Sequence, residues 1–251
     1  MKRIVFLLLV FATNLSIYSQ RVFEVHYRHV PKENMQEFED LEMNHWYKVV
    51  QDAVNKGNLV SWSFHKRLDA GSIDFDEDTP THAFVVVFKD VDQYLNSNKI
   101  WDNAAAILGA DPNRFTTMNM SRTLMRQRYA IADGLGSTEN GKYSIWNYAK
   151  PKDLAGFLDE NSNLWKPFFE KNMKKNGMVA WGVANRIYPQ GMDASTVLTW
   201  DVFSSLPAAM KHLSNTEIDP QIINKSKMSE YDPDGFRYRV IMQTLKRTKS
   251  K

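Results

Sequence analysis

Apolar residues alternate and cluster along this chain in two rhythms, and the rhythms come in the same order twice. Residues 22–30 read as a strand that ends at Pro31. Residues 33–55 then carry Met35, Phe38, Leu41, Val49, Ala53 and Val54 at helical spacing, closed by Gly57-Asn58 in the manner of a helix C-cap. Residues 59–68 and 83–88 predict strands, 91–108 a helix, and 122–132 a closing strand. Turn formers fill 133–141, and the series starts again. A strand is expected over 143–148, a helix over 151–175, strands over 178–188 and 195–202, a helix from 206 to 213, and a last strand over 236–244. The basic tail 246–251 is expected to be frayed.

The two series also share residues. WYKVVQDAVNKGNLVSWSFHKRL from Trp46 is echoed by WKPFFEKNMKKNGMVAWGVANRI from Trp165. Trp46 matches Trp165, Trp62 matches Trp181 and Arg67 matches Arg186, each at an offset of 119 (165 − 46 = 181 − 62 = 186 − 67). A constant offset across two tryptophans and an arginine marks an internal repeat, which fixes architecture before activity. The predicted organisation is a leader over 1–20, a first β-α-β-β-α-β unit over 21–132, a linker over 133–141 and a second unit over 142–245.

One such unit is a ferredoxin-like α+β fold with a bare sheet face, and two in one chain can cover each other. In element order and repeat, residues 21–245 resemble the dimeric α+β barrel superfamily in a tandem fused form. That superfamily includes antibiotic-biosynthesis monooxygenases, haem-degrading monooxygenases, chlorite-dismutase-like proteins and NIPSNAP-type proteins. The resemblance implies an intramolecular barrel built from two antiparallel sheets, cofactor-independent monooxygenation or isomerisation as reaction classes, or a non-catalytic stress-response or binding module. Two units side by side without a shared barrel is the alternative fold.

Strand parity sorts the side chains between helix face and barrel interior. In the second strand Trp62 and Phe64 suit the helix face, leaving Ser61, Ser63, His65 and Arg67 inside. The repeat gives Trp181 and Val183 to the helix face and Ala180, Gly182, Ala184 and Arg186 to the interior. In the first strand Phe23, Val25 and Tyr27 are assigned to the helices, and Glu24, His26 and Arg28 to the interior. A one-residue gap aligns these with Ser144, Trp146 and Tyr148. The expected site is therefore a partly apolar cavity for a small molecule, with Glu24, Arg28, Ser61, Ser63, Arg67, Arg186 and Trp146 binding and His65 or His26 as general base. Pairing of the same charges with one another inside a wet barrel is the competing reading.

Other chemistry is poorly supported by the residues. His26 and His65 lie two strands apart, about 10 Å at a strand spacing of about 4.8 Å, so no shared metal is expected. His29 and His82 are read as solvated, His45 as a core residue, and residues 69–80 as a solvated acidic loop. No haem or other cofactor is expected: Asn44-His45-Trp46 does not match the spacing in haem-degrading relatives, and His212 falls on the second helix of its unit. The tryptophan pairs Trp46/Trp165 and Trp62/Trp181 are read as core, because they recur in both units.

Composition narrows the classes. A cationic Met1-Lys2-Arg3, an apolar run of about nine residues and a polar end near Ser19 read as a signal peptide, which places the mature protein in the periplasm or outside the cell. Without Lys2 and Arg3 the formal charge is +1 (32 − 2 − 29), which gives no electrostatic case for nucleic acid. No segment is long and apolar enough to span a bilayer, and a monomer or weak homodimer is expected. With no cysteine in the chain, disulfides and thiol catalysis are excluded.

Overall fold

The computed structural model describes residues 20–214 and 219–249, so the leader expected over 1–20 lies almost wholly outside the described residues. Eight strands close into one antiparallel barrel in the order β1-β3-β2-β8-β5-β7-β6-β4. They are β1 Val22–His29, β2 Ser61–Arg67, β3 His82–Phe88, β4 Arg122–Gly136, β5 Tyr143–Ala149, β6 Met178–Tyr188, β7 Val197–Phe203 and β8 Tyr238–Arg247. Followed from β4, the first four strands run 4-1-3-2 and the last four 8-5-7-6, the same order raised by four. The two sheets join where β2 pairs β8 and β4 pairs β6. Closure leaves no unpaired sheet edge for another chain to extend.

Each sheet carries helices on its outer face. In the first half α1 (Met35–Leu41) and α2 (Tyr47–Asn55) form one continuous rod, joined by a π turn at Glu42–Trp46. Phe38, Val50, Ala53 and Val54 from the rod pack on Trp62, Phe64, Phe84 and Val86 of the sheet. The second half has α5 (Leu154–Glu160), a π turn at Asn161–Trp165 and α6 (Lys166–Asn176). Both π turns end on the matched tryptophans, again 119 residues apart. Each indole N–H finds an acceptor: Trp46 donates to the Phe115 carbonyl (2.8 Å), and Trp165 to Glu160 Oε1 (3.0 Å). Both rings are half-buried, whereas Trp62 and Trp181 are core residues as expected.

Several segments differ from the sequence reading. The helix expected over 91–108 is broken into α3 (Val91–Leu95), a 3-10 turn and α4 (Ala104–Leu108). The helix at 206–213 is α7 (Leu206–Leu213), started by Ser205, whose side chain accepts from the Ala208 N–H. Two short helices follow, α8 (Pro220–Lys225) and α9 (Met228–Tyr231). Strand β4 runs on to Gly136 and pairs β6 through residues 133–136, which the sequence reading gave to the linker. The tail is not frayed at its start: β8 continues to Arg247, Thr248 Oγ1 accepts from the Trp62 N–H (2.9 Å), and the Lys249 N–H donates to Gln51 (2.8 Å). The hydrogen bonds along β2 supply what the tail's own sequence does not.

Candidate functional site

The barrel interior is filled at one end and hollow at the other. At the filled end Tyr27 and Tyr148 share a hydroxyl–hydroxyl bond of 2.8 Å, and Tyr129 donates to Gln127 Oε1 (2.5 Å). Arg186 donates to the Tyr129 hydroxyl (3.3 Å) and lies over its ring at 5.6 Å. Burial, which disfavours phenolate, holds Tyr27, Tyr129 and Tyr148 above the usual tyrosine range. Arg186 thus points inward as parity predicts, but it braces the tyrosine plug instead of lining the hollow end.

At the other end lies a cavity of about 600 Å³. Its walls include Phe23, Val25, Val85, Val87, Leu198 and Trp200, and its polar members are Arg21, Ser61, Ser63, His65, Ser137, Thr138, Ser144, Trp146 and Arg247. His65 is buried, with Nε2 2.8 Å from Ser63 Oγ and Nδ1 3.3 Å from Thr244 Oγ1. Its ring meets the indole of Trp146 edge-on at 5.3 Å, and Trp146 Nε1 donates to Ser144 Oγ (2.9 Å). Burial, helped by the Arg247 charge, pushes the His65 imidazole down to about 3, so it is neutral near pH 7. Arg247 sits across the β2–β8 seam from Ser63 and donates to the Gly141 carbonyl and to Thr244 Oγ1, each at 3.3 Å. Ser61, Ser63, His65 and Trp146 are therefore gathered at one cavity, as the alternation of β2 and β5 implies.

The first strand corrects the sequence reading. Phe23, Val25 and Tyr27 face the interior, while Glu24, His26 and Arg28 face outward. Glu24 binds His26 and Arg128 Nε (2.6 Å) and accepts from the Tyr94 hydroxyl of α3 (3.4 Å). Burial opposes ionisation of Glu24, but His26, Arg128 and Arg126 outweigh it and hold the carboxyl below its ordinary value. Arg28 reaches Ser121 Oγ and Met118 Sδ (3.7 Å) outside the barrel. The error is one residue of register. Tyr27 meets Tyr148 at an offset of 121 (148 − 27), so Val25 corresponds to Trp146 and Phe23 to Ser144, and a slip of one flips every side chain.

Three further expectations change. Arg67 does not reach the cavity: it pairs with Asp69 (2.7 Å) and lies over the Phe75 ring at 4.3 Å. His29 and His82 are buried, not solvated. His29 Nδ1 is 2.9 Å from the Thr79 carbonyl, and His82 Nε2 is 3.1 Å from Glu39 Oε1. His45 is half-buried and stacks on Phe115 at 4.3 Å. Arg247 is the cavity residue the sequence reading missed, because it falls in a basic tail whose strand pairing no local pattern shows. Among the described residues no group of three His, Asp or Glu side chains could hold a metal ion, and no helix is long and apolar enough to cross a membrane.

No protein-family model matches the chain, and no curated protein matches it. Solved structures do. A candidate monooxygenase from Fusobacterium nucleatum subsp. nucleatum superposes with a TM-score of 0.60 at 11% identity, covering 92% of this chain and 95% of that one. A candidate monooxygenase from Lactobacillus acidophilus gives 0.59 at 10% identity, covering 92% and 96%. An anthrone oxidase-like protein gives 0.54 at 11%, covering 92% and 93%. This is an α+β barrel. At such identities the likeness extends to the fold and no further.

Proposed function

We propose that the barrel cavity binds a small, planar, acidic aromatic molecule, and that His65, Ser63 and Arg247 receive its acidic group. The observation that carries this reading is a neutral imidazole and a guanidinium set together beside the aromatic and aliphatic walls of the cavity. Such a cavity favours an aromatic body, and Arg247 favours a negative charge upon it. An imidazole held near 3 is a weak base. A bound anion reverses that, since an opposite charge beside the ring stabilises imidazolium and offsets Arg247. A ligand that enters as the neutral acid can therefore pass its proton to His65 and stay bound as the anion.

The reaction class we infer is monooxygenation without a prosthetic group, in keeping with the candidate monooxygenases and the anthrone oxidase-like protein that share the fold. A methylene of an anthrone-type substrate would lose a proton to His65. The carbanion's electrons would pass to dioxygen as a C–O bond forms, and loss of water from the hydroperoxide would leave a ketone. The balance is R₂CH₂ + O₂ → R₂C=O + H₂O, with dioxygen as the oxidant. Haem does not suit this cavity: among the described residues His65 is its one lining histidine, and both ring nitrogens are engaged by Ser63 and Thr244. The low basicity of His65 favours a second reading, a binding module without turnover.

Dioxygen uptake by the purified protein with anthrone and with simple quinols separates the two. Uptake above the spontaneous rate that His65→Ala reduces at least tenfold supports the enzyme. Tight binding of the same compounds without uptake supports the module. The absence of both would overturn the reading of the cavity. We also propose that the protein is exported and that its halves are two fused copies of one unit. N-terminal sequencing of protein taken from its host should begin near residue 20 or 21.

A further inference from the structure

The outer face of the second sheet should be apolar, because helices cover it. At the middle of β3 in the first half it is: Phe84 and Val86 pack on Trp62 and Phe64. The β2–β3 and β6–β7 registers make Val85 equivalent to Trp200, since Ser63 faces Val85 and Gly182 faces Trp200. Phe84 and Val86 thus correspond to Thr199 and Asp201. Both are buried, and Asn147 of β5 is buried beside them.

These residues face a second pocket, of about 420 Å³, between the sheet and the helices. Trp165, at the end of the second π turn, stacks with Phe169, and Phe169 meets Trp181, which gives the pocket an aromatic wall. A π turn that re-aims helix side chains is a frequent companion of functional sites. The opposite wall brings Asp232, Asp234, Phe236 and Arg239. Asn147 Nδ2 donates to Thr199 Oγ1 (3.0 Å) and to Asp201 Oδ2 (2.7 Å). Those two bonds fix the amide and leave Oδ1, on a residue that lines the pocket, buried and without a hydrogen-bond partner. Leaving a buried acceptor unpaired is destabilising, so a ligand that donates to it is favoured.

The charge of the pocket decides the ligand's sign. Three aspartates, 201, 232 and 234, face one arginine, Arg239, with His212 Nε2 3.8 Å from Asp201 Oδ2. Acceptors therefore outnumber donors, and the aromatic wall adds cation–π attraction. We propose that this helix-side pocket of the second half is a binding site, separate from the barrel cavity, for a compact organic cation: an ammonium group carried on an apolar body. The ammonium would donate to Asn147 Oδ1 and Asp201, and the body would lie along Trp165, Phe169 and Trp181.

Titration calorimetry on the full chain with 2-phenylethylamine, 2-phenylethanol and 3-phenylpropionate tests this. The amine should bind at least tenfold more tightly than the alcohol, and the carboxylate should not bind. Asp201→Asn and Asn147→Leu should each weaken the amine tenfold or more, while His65→Ala should leave its Kd unchanged. If either pocket variant fails to fold, Asp232→Asn on the facing wall provides the same comparison. The proposal falls if millimolar amine gives no binding to the folded protein, if alcohol or carboxylate binds as well, if the pocket variants leave Kd unchanged, or if His65→Ala removes binding.

Discussion

Trp200 lies flat against Gly182 across the β6–β7 ladder, so close that a Cβ on the glycine would stand 2.0 Å from Trp200 Cζ2. The glycine is what lets an indole line the barrel wall at that point. Gly182→Ala should displace the Trp200 ring into the cavity and destabilise the protein by about 1–3 kcal/mol, as overpacking does. A denaturant melt gives the stability, and the change in acrylamide quenching of the tryptophan emission between wild type and variant reports the ring's displacement. An unchanged melt with unchanged quenching would show that the wall yields.

Arg247 is positioned by main-chain pairing to Ser63 and adds its charge to the cavity holding His65. Arg247→Met keeps the length of the side chain and removes the charge. Affinity for a phenolate ligand should fall at least tenfold, with little change for an uncharged analogue of the same shape. The imidazole of His65 should also titrate higher in the variant, since one of the causes depressing it is gone. NMR of the histidine Cε1 proton follows that shift directly.

His65 also makes stability depend on acid. Its folded value of about 3 lies below the ordinary 6.5, so the unfolded chain binds a proton that the folded chain does not between those limits. The stability that follows is fully present above pH 6.5 and is lost as pH falls toward 3, at a slope approaching about 1.4 kcal/mol per pH unit for one proton. His65→Gln should flatten the fall between pH 6 and 4 in urea melts. A variant curve parallel to the wild type would mean that other groups control acid unfolding.

Glu42 should act in the opposite direction. It is buried in the first π turn, accepts from Thr117 Oγ1 (2.8 Å), and burial pushes its carboxyl up to about 7 against the Thr117 bond and the Arg28 charge. Since the folded value exceeds the ordinary 4.5, its neutral form supports the fold below that value, and this support is lost as pH rises through 7. Glu42→Gln keeps the acceptor oxygen and cannot ionise. Its melting temperature relative to wild type should therefore be higher at pH 8 than at pH 5.

How much of this the chain announces depends on the element. The limits of β6 match the sequence reading residue for residue, and Trp62, Phe64, Trp181 and Val183 fall on the helix face as read. In these strands one face is strongly apolar and the other small or polar, so parity has one answer. For β1 it does not: both Phe23/Val25/Tyr27 and Glu24/Arg28 are buried, so burial of the apolar set is satisfied by either face. The repeat offset between β1 and β5 is 121, and an offset of 120, one residue short, turns Glu24, His26 and Arg28 inward.

Local pattern determines the order of strands and helices, the matched π-turn tryptophans, and the placing of Ser61, Ser63, His65 and Trp146 on one side of their strands, because each depends only on spacing within a strand or a helix. The tertiary structure alone decides what those side chains meet. Arg247 joins His65 because a tail with no strand signal completes the ladder of β2. Arg186 is drawn to the tyrosine plug because closing the barrel pairs β6 with β4, and Asn147 meets Asp201, 54 residues further along the chain, because β5 pairs β7. The scaffold is written in period and parity, whereas the chemistry depends on contacts between residues up to about 180 positions apart, such as His65 and Thr244.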